Sequence, residues 1–178
     1  MLATRRGVLI LAGGLPCWLA TRSAVAADHP MLSFAGKYRY AGGEKQVSKL
    51  HAAIDEVCAE MNFVFRQFAQ PRLQKSLEPV ATVDFRISGS QIAIVRPGIP
   101  TIEGPVDGSR FSWNDKRGVK STVIFRWVDD TLQVSIKQSD GKSMLKWRFQ
   151  DEGRLTLNMK IEHDKLPSSL RYSLSYKR

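Results

Sequence analysis

The chain has 178 residues, 27 Lys and Arg against 17 Asp and Glu, and a formal net charge of +10, which is enough for one ordinary domain with a real core. The cation excess is scattered as single residues with no run of five like charges, which excludes a basic tail of the nucleic-acid-binding kind. No Cys-x-x-Cys, His-x-x-x-His or glycine-rich phosphate loop occurs, which excludes the common metal and nucleotide sites and leaves no cofactor to expect.

Residues 1–27 have the three parts of an export signal. Arg5 and Arg6 form the charged start, Gly7 to Ala20 the apolar stretch, and Ala24-Val25-Ala26 or Val25-Ala26-Ala27 the small-residue cleavage site. The apolar stretch is too short to span a bilayer. Thr4-Arg5-Arg6-Gly7-Val8-Leu9-Ile10 resembles the twin-arginine pattern, with Val8 in place of the usual Phe and Ile10 in place of the usual Lys. The expected mature domain is residues 28–178, exported to the periplasm or secreted, with no transmembrane span. Cys17 leaves with the signal, so Cys58 is left without a partner for an internal disulfide. Its place on a helical apolar stripe reads as a buried, inert thiol rather than a nucleophile.

The first strand is expected over Phe34 to Tyr40, with Phe34, Tyr38 and Tyr40 on one face and Lys37 and Arg39 on the other. Ala41-Gly42-Gly43 breaks it. Apolar residues then recur at Val47, Leu50, Ile54, Val57, Met61, Val64 or Phe65, and Phe68, the spacing of one helical face. That spacing predicts one long helix over residues 44–70, ended by Pro71, with a short helix from Arg72 to Leu77.

From Val80 the period changes to two. Val83, Phe85 and Ile87 alternate with polar residues, Ser88-Gly89-Ser90 turns the chain into Gln91 to Val95, and the proline- and glycine-rich stretch from Pro97 to Gly108 reads as loop. A weak strand at Arg110 to Trp113 leads to a long one at Val119 to Val128. Asp129-Asp130, Ser139-Asp140-Gly141-Lys142 and Asp151-Glu152-Gly153 are hairpin turns. The strands that they join hold Leu132 to Ile136, Leu145 to Phe149, and Leu155 to Ile161, and Leu170 to Tyr176 closes the chain. The expected fold is mainly β with one long helix. About eight or nine antiparallel strands form a barrel or strongly curved sheet, capped or filled by helix 44–70.

One face of the strands is apolar and the other Arg, Lys, Ser and Thr, so the sheet must curl around its own interior or be covered by the helix. Gly36-Lys37-Tyr38 in the first strand, a helical insertion after it and a meander running to the C-terminus resemble the calycin barrels, lipocalins and particularly the fatty-acid-binding branch with its helical lid. The resemblance implies a barrel that binds an apolar or lipid-like small molecule. Those families favour Gly-x-Trp in the first strand, and their inward cationic anchor lies in the closing strands. Here Tyr38 stands for the Trp, and Arg171 shares parity with Ser173 and Ser175 and faces out.

Among residues that do chemistry, His29, His51 and His163 are scattered. His51 and Asp55, one helical turn apart, read more simply as a solvated pair than as a catalytic dyad. No Gly-x-Ser-x-Gly elbow exposes a nucleophile. With almost no ionisable side chain at inward parity, no catalytic or metal-binding residue is assigned, and the chain reads as a binder and not an enzyme. Candidate pocket walls are Tyr38, Phe125, Trp127, Trp147, Phe149 and Tyr172, and the candidate lid is Leu50, Ile54 and Met61. The rings either line a pocket or fill the space. The alternative is a solid barrel whose outer cations, Arg86, Lys120, Arg126, Lys146, Arg148 and Lys160, contact an anionic envelope component or a partner protein.

Overall fold

The computed structural model describes residues 30–150 and 153–178; the expected export signal, His29 and the Asp151-Glu152 turn lie outside the described residues. After a 3₁₀ turn at Pro30–Phe34 come strand β1 (Gly36–Tyr40) and helices α1 (Gly43–Ala59) and α2 (Phe63–Ser76). Nine strands follow: β2 (Thr82–Ser88), β3 (Gln91–Arg96), β4 (Ile99–Pro105), β5 (Asp107–Asn114), β6 (Lys120–Val128), β7 (Thr131–Lys137), β8 (Gly141–Gln150), β9 (Arg154–His163) and β10 (Leu170–Lys177). All ten strands form one antiparallel sheet in the order β4-β3-β2-β1-β10-β9-β8-β7-β6-β5. The mainly β, helix-capped, nearly closed barrel is therefore as the alternation predicts.

Period-two alternation places the same set of side chains inside on every strand, and the register lines them up in rows. Phe125 lies opposite Val134, Val134 opposite Leu145, Leu145 opposite Met159 and Met159 opposite Tyr172. The row below it runs Trp127, Leu132, Trp147, Leu157, Leu174. A one-residue slip would turn each row out to water, so the core itself fixes the register.

Between β4 and β5 the ladder stops. Side chains bridge this seam: the Trp113 indole N–H donates to the Thr101 carbonyl at 3.0 Å, and the Phe111 ring lies where a Cβ on Gly104 would come within 2.3 Å of it. Only a residue without a Cβ admits that ring.

Three expectations need correction. Phe34 is not in the first strand but in the preceding 3₁₀ turn, where its ring packs on Trp127 and Phe149 at 5.7 and 4.9 Å and its carbonyl accepts the Tyr38 hydroxyl at 3.0 Å. The stretch from Pro97 to Gly108, expected as loop, holds β4, because edge strands tolerate proline where no ladder bond is needed. This is the strand that raises the number to ten.

The predicted single helix over 44–70 is two. Asn62 caps α2 by accepting the Val64 N–H at 3.0 Å, competing with helix continuation as Asn side chains do. Arg66 reaches back to the end of α1, donating to the carbonyls of Cys58 at 2.9 Å, Met61 at 3.3 Å, and Ala59. The apolar spacing runs through this break, but the burial does not: α2 has no buried residue. Pro71 lies inside α2 rather than at a helix end. It is on the exposed side, where the carbonyl left without its usual donor is open to water.

Candidate ligand-binding interior

The two helices sit at one end of the barrel. β1 pairs with β10 only at Arg39–Lys177 and Tyr40–Tyr176, and α1 then takes over the edge of β10 that β1 leaves. Gln46 of α1 holds that edge: its amide donates to the Ser175 hydroxyl and its carbonyl accepts the Ser175 backbone N–H, both at 2.8 Å. The lid face of α1 follows from its spacing. Leu50, Ile54, Val57 and Cys58 are buried with Leu170 in a small cluster, against which Met61, Leu73, Ile161 and Tyr172 pack. Cys58 is the buried thiol expected, its pKa pushed up mainly by burial.

The expected wall residues do come together, in two groups. Phe149 is the hub of the first, with Trp127 stacked at 5.3 Å, Tyr38 at 6.0 Å and Phe85 at 5.1 Å. Trp147 joins through Phe85 at 5.3 Å and continues to Tyr176 at 5.9 Å. Phe125 stands apart, edge-on to Phe111 at 5.1 Å. Tyr172 packs against both the barrel core and the lid cluster, and its hydroxyl donates to the Met159 sulfur at 3.3 Å. Of the lid residues, Leu50 and Ile54 are fully buried and Met61 is half-buried. His51 and Asp55 form no dyad: the Asp55 carboxylate accepts from Gln70 at 2.7 Å and Gln74 at 3.3 Å, both on α2.

Almost no ionisable side chain is expected at inward parity, and Arg96 is one that the sequence reading does not name. Ile92 and Ile94 are buried on β3, and the next residue at the same parity is Arg96. One more step of the alternation would have found it, but the expected strand stops at Val95, before Pro97-Gly98. No ion pair among the described residues includes Arg96. Its Nε is buried and has no hydrogen-bond partner. Burial lowers its pKa, and the only groups opposing that are the phenols of Tyr176 and Tyr172. Burial in turn raises Tyr172 above the ordinary tyrosine value and pushes Tyr176 up to about 12, so both are neutral hydroxyls at physiological pH. Two further buried donors lack partners, the indole N–H groups of Trp127 and Trp147.

Among the buried side chains of the described residues, three unmatched donors and no unmatched acceptor make a one-sided inventory. A buried donor without a partner costs on the order of 1–3 kcal/mol, more if charged, so such groups call for an explanation. This interior can accept a group rich in lone pairs. Among the described residues Ser121 is the one fully buried polar residue, and its hydroxyl accepts from the Gln138 amide at 3.0 Å. The described residues hold no cluster of His, Cys, Asp or Glu suited to a metal ion.

No protein-family model matches the sequence, and no curated protein matches it either. Solved structures do resemble it. The REP1-NXSQ fatty acid transporter is 18% identical, with 83% of this chain and 96% of that chain covered at a TM-score of 0.51. The fatty acid-binding protein of Drosophila melanogaster brain tissue is 15% identical, with 82% and 99% covered at 0.52. Lipid binding protein 8 of Caenorhabditis elegans is 11% identical, with 85% and 99% covered at 0.53. At these identities the likeness is one of fold, a fold on which proteins named for fatty acid and lipid binding are built.

Proposed function

We propose that this protein binds an amphipathic small molecule inside the barrel, its polar head at Arg96 beneath the helices and its apolar chain among the rings. The observation that carries this reading is Arg96, whose Nε is buried without a partner and which no carboxylate opposes. Leaving a buried cation unpaired is far costlier than replacing it by an apolar residue, so an anionic or acceptor-rich ligand accounts for its presence. The side chain also keeps partial accessibility, as do the inward Met159 and Tyr172. The central and far-end rings do not share this: Phe85, Trp147 and Phe149 are sealed. The head-group end is therefore where a ligand enters. Tyr172 and Tyr176 flank the head, and Leu50, Ile54 and Met61 close over it. The proposed role is binding rather than catalysis, since no carboxylate or imidazole acts on Arg96 and the two tyrosines beside it hold their protons tightly.

Titration with oleate, its methyl ester and oleyl alcohol, followed by Trp fluorescence and native mass spectrometry, tests this. Oleate is expected to bind about tenfold tighter than the neutral analogues, the scale of one charge-assisted hydrogen bond. Arg96→Met is expected to erase that preference. An unchanged indole signal with all three lipids would overturn the reading.

The same proposal places the protein outside the cytoplasm, by way of the twin-arginine-like segment. Cleavage after Ala27 predicts a mature N-terminus at Asp28, which sequencing of the exported protein checks. A second reading has its own observation: on the outer face of β5, β6 and β7 a cleft of about 460 Å³ is lined by Arg110, Lys120, Lys137 and hydroxyl residues, with no acid. It suits an anionic envelope polymer, and binding there would fade as salt rises, whereas interior binding would not.

A further inference from the structure

Opposite walls of the barrel carry charge differently. On the outer face of β2–β4 acids and bases are mixed: Asp84 is paired with Arg86 at 3.0 Å, and Glu103 lies beyond Ala93 from Arg86. Strands β6, β7 and β8 hold Lys120, Arg126, Lys137, Lys142, Lys146 and Arg148 and no acid at all. Each of these cations is exposed. Among the described residues only Lys142 of this set is in an ion pair, with Glu162 of β9. The acids at the border of the wall are turned to other partners. Asp107 accepts the Ser109 N–H at 2.8 Å, Asp115 accepts the N–H groups of Arg117 and Val119, and Asp140 stands 3.2 Å from His163. Asp129 and Asp130 stay in the turn between β6 and β7, past the strand ends. A field of one sign opposes the compact state by self-repulsion, and an anionic partner removes that cost.

The register shows how the cations are laid out. Arg126 lies opposite Gln133, Gln133 opposite Lys146, and Lys146 opposite Asn158. Arg148, two residues along β8 from Lys146, lies between Thr131 and Thr156. Arg126 and Lys146, two strands apart, are therefore about 10 Å from each other, the length of a disaccharide, with the Gln133 amide between them. On β5, Arg110 lies opposite Ile124 and leads this line of cations into the cleft that it forms with Lys120 and Lys137.

The other side chains of the wall narrow the choice of partner. No ring faces outward: Phe111, Phe125, Trp127, Trp147 and Phe149 all belong to the interior, so a nucleic-acid base has nothing to stack on. The apolar residues of this face, Ile124, Met144 and Val128, are separated by Ser135 and Arg126 and form no patch to sink among acyl chains. What remains between the cations is amide and hydroxyl, the groups that pair with sugar hydroxyls.

We propose that this wall binds an acidic polysaccharide laid across β5 to β8. Its charged groups meet Arg110, Arg126, Lys146 and Arg148, and its hydroxyls meet Thr131, Gln133 and Thr156. The proposal rests on the anion-binding reading of the cleft on β5–β7 and extends that cleft into a track.

Fluorescence anisotropy with end-labelled hyaluronan oligosaccharides, which carry one carboxylate per disaccharide, tests it. An octasaccharide is expected to bind about tenfold tighter than a tetrasaccharide, since exposed ion pairs of small individual worth add up along a linked chain. Neutral dextran is expected not to bind. Arg126→Gln/Lys146→Gln/Arg148→Gln changes only exposed side chains, so it is expected to keep its circular dichroism and to lose about tenfold on the octasaccharide. Arg110→Gln/Lys120→Gln/Lys137→Gln is expected to weaken both oligosaccharides. If the variant outside the cleft binds the octasaccharide as the wild type does while the cleft variant does not, the track is overturned and the cleft stands. If the wild type binds neither oligosaccharide, both fall. Tighter binding to a single-stranded oligonucleotide of equal charge, or to phosphatidylglycerol vesicles, would also overturn the proposal, since the wall would then answer to charge without the sugar.

Discussion

The two ends of this barrel are built on opposite principles. The far end is sealed by its own residues: Phe34 closes on Trp127 and Phe149, and the Arg178 guanidinium donates to the carbonyls of Ser33, at 2.9 Å, and Ala35 while lying 5.2 Å over the Tyr38 ring. There the Phe34, Trp127 and Phe149 rings lie face against face, and Tyr38 meets Phe149 edge-on. The helical end is the reverse. Arg96 has an unmatched donor, α1 holds to the strands through the edge of β10 and the small cluster around Leu170, and α2 hangs on α1 by Arg66 and by Asp55. The protein concentrates its stability at one end and leaves the other loosely satisfied, as expected where a molecule must enter and leave.

The largest effect that tests this contrast lies in the sealed region. Trp147→Ala removes a ring 1% exposed between Phe85 and Tyr176 and is expected to cost about 3–5 kcal/mol, read as a lower urea midpoint. A loss below about 1 kcal/mol would mean that the rings do not form the stabilising core.

Next comes an alkaline transition. Tyr176 titrates at about 12 in the folded state, whereas an unfolded tyrosine titrates at about 10. Below that lower value both states keep the proton and stability does not depend on it. As pH rises from there towards 12, the unfolded chain releases a proton that the folded one retains, and stability falls. Tyr176→Phe should flatten that decline in a series of melting curves, and an identical decline in the variant would assign it elsewhere.

The smallest effect sharpens the helical end. Arg66→Ala frees the carbonyls of Cys58, Ala59 and Met61. It is expected to cost only about 1 kcal/mol globally while hydrogen exchange in α2 speeds up and the strands keep their protection. Equal loss of protection in β6–β9 would show that α2 and the barrel unfold as one unit.

The strands were legible because alternation is a local property with one outcome: a sheet with one apolar face must hide it. That is why Phe125, Trp147 and Phe149 could be placed inside before any coordinates. The helices were harder, because the spacing from Val47 to Phe68 is continuous while the environment is not. Leu50 and Ile54 find Leu170 beneath them, whereas Phe65 and Phe68 find nothing, and sequence spacing does not report what lies opposite. Likewise β4 was hidden by its prolines and glycines, since only pairing with β3 tells an edge strand from a loop.

By itself, then, the sequence determined a mainly β chain with a helical insertion after the first strand and an apolar interior, since side-chain periodicity is set by backbone geometry alone. Tertiary structure decided where that periodicity ends at Arg96, which carries the cation inside beside two tyrosines from the other end of the chain. It also decided which part of the helical stripe stays in water, because burial depends on neighbours that only long-range pairing supplies.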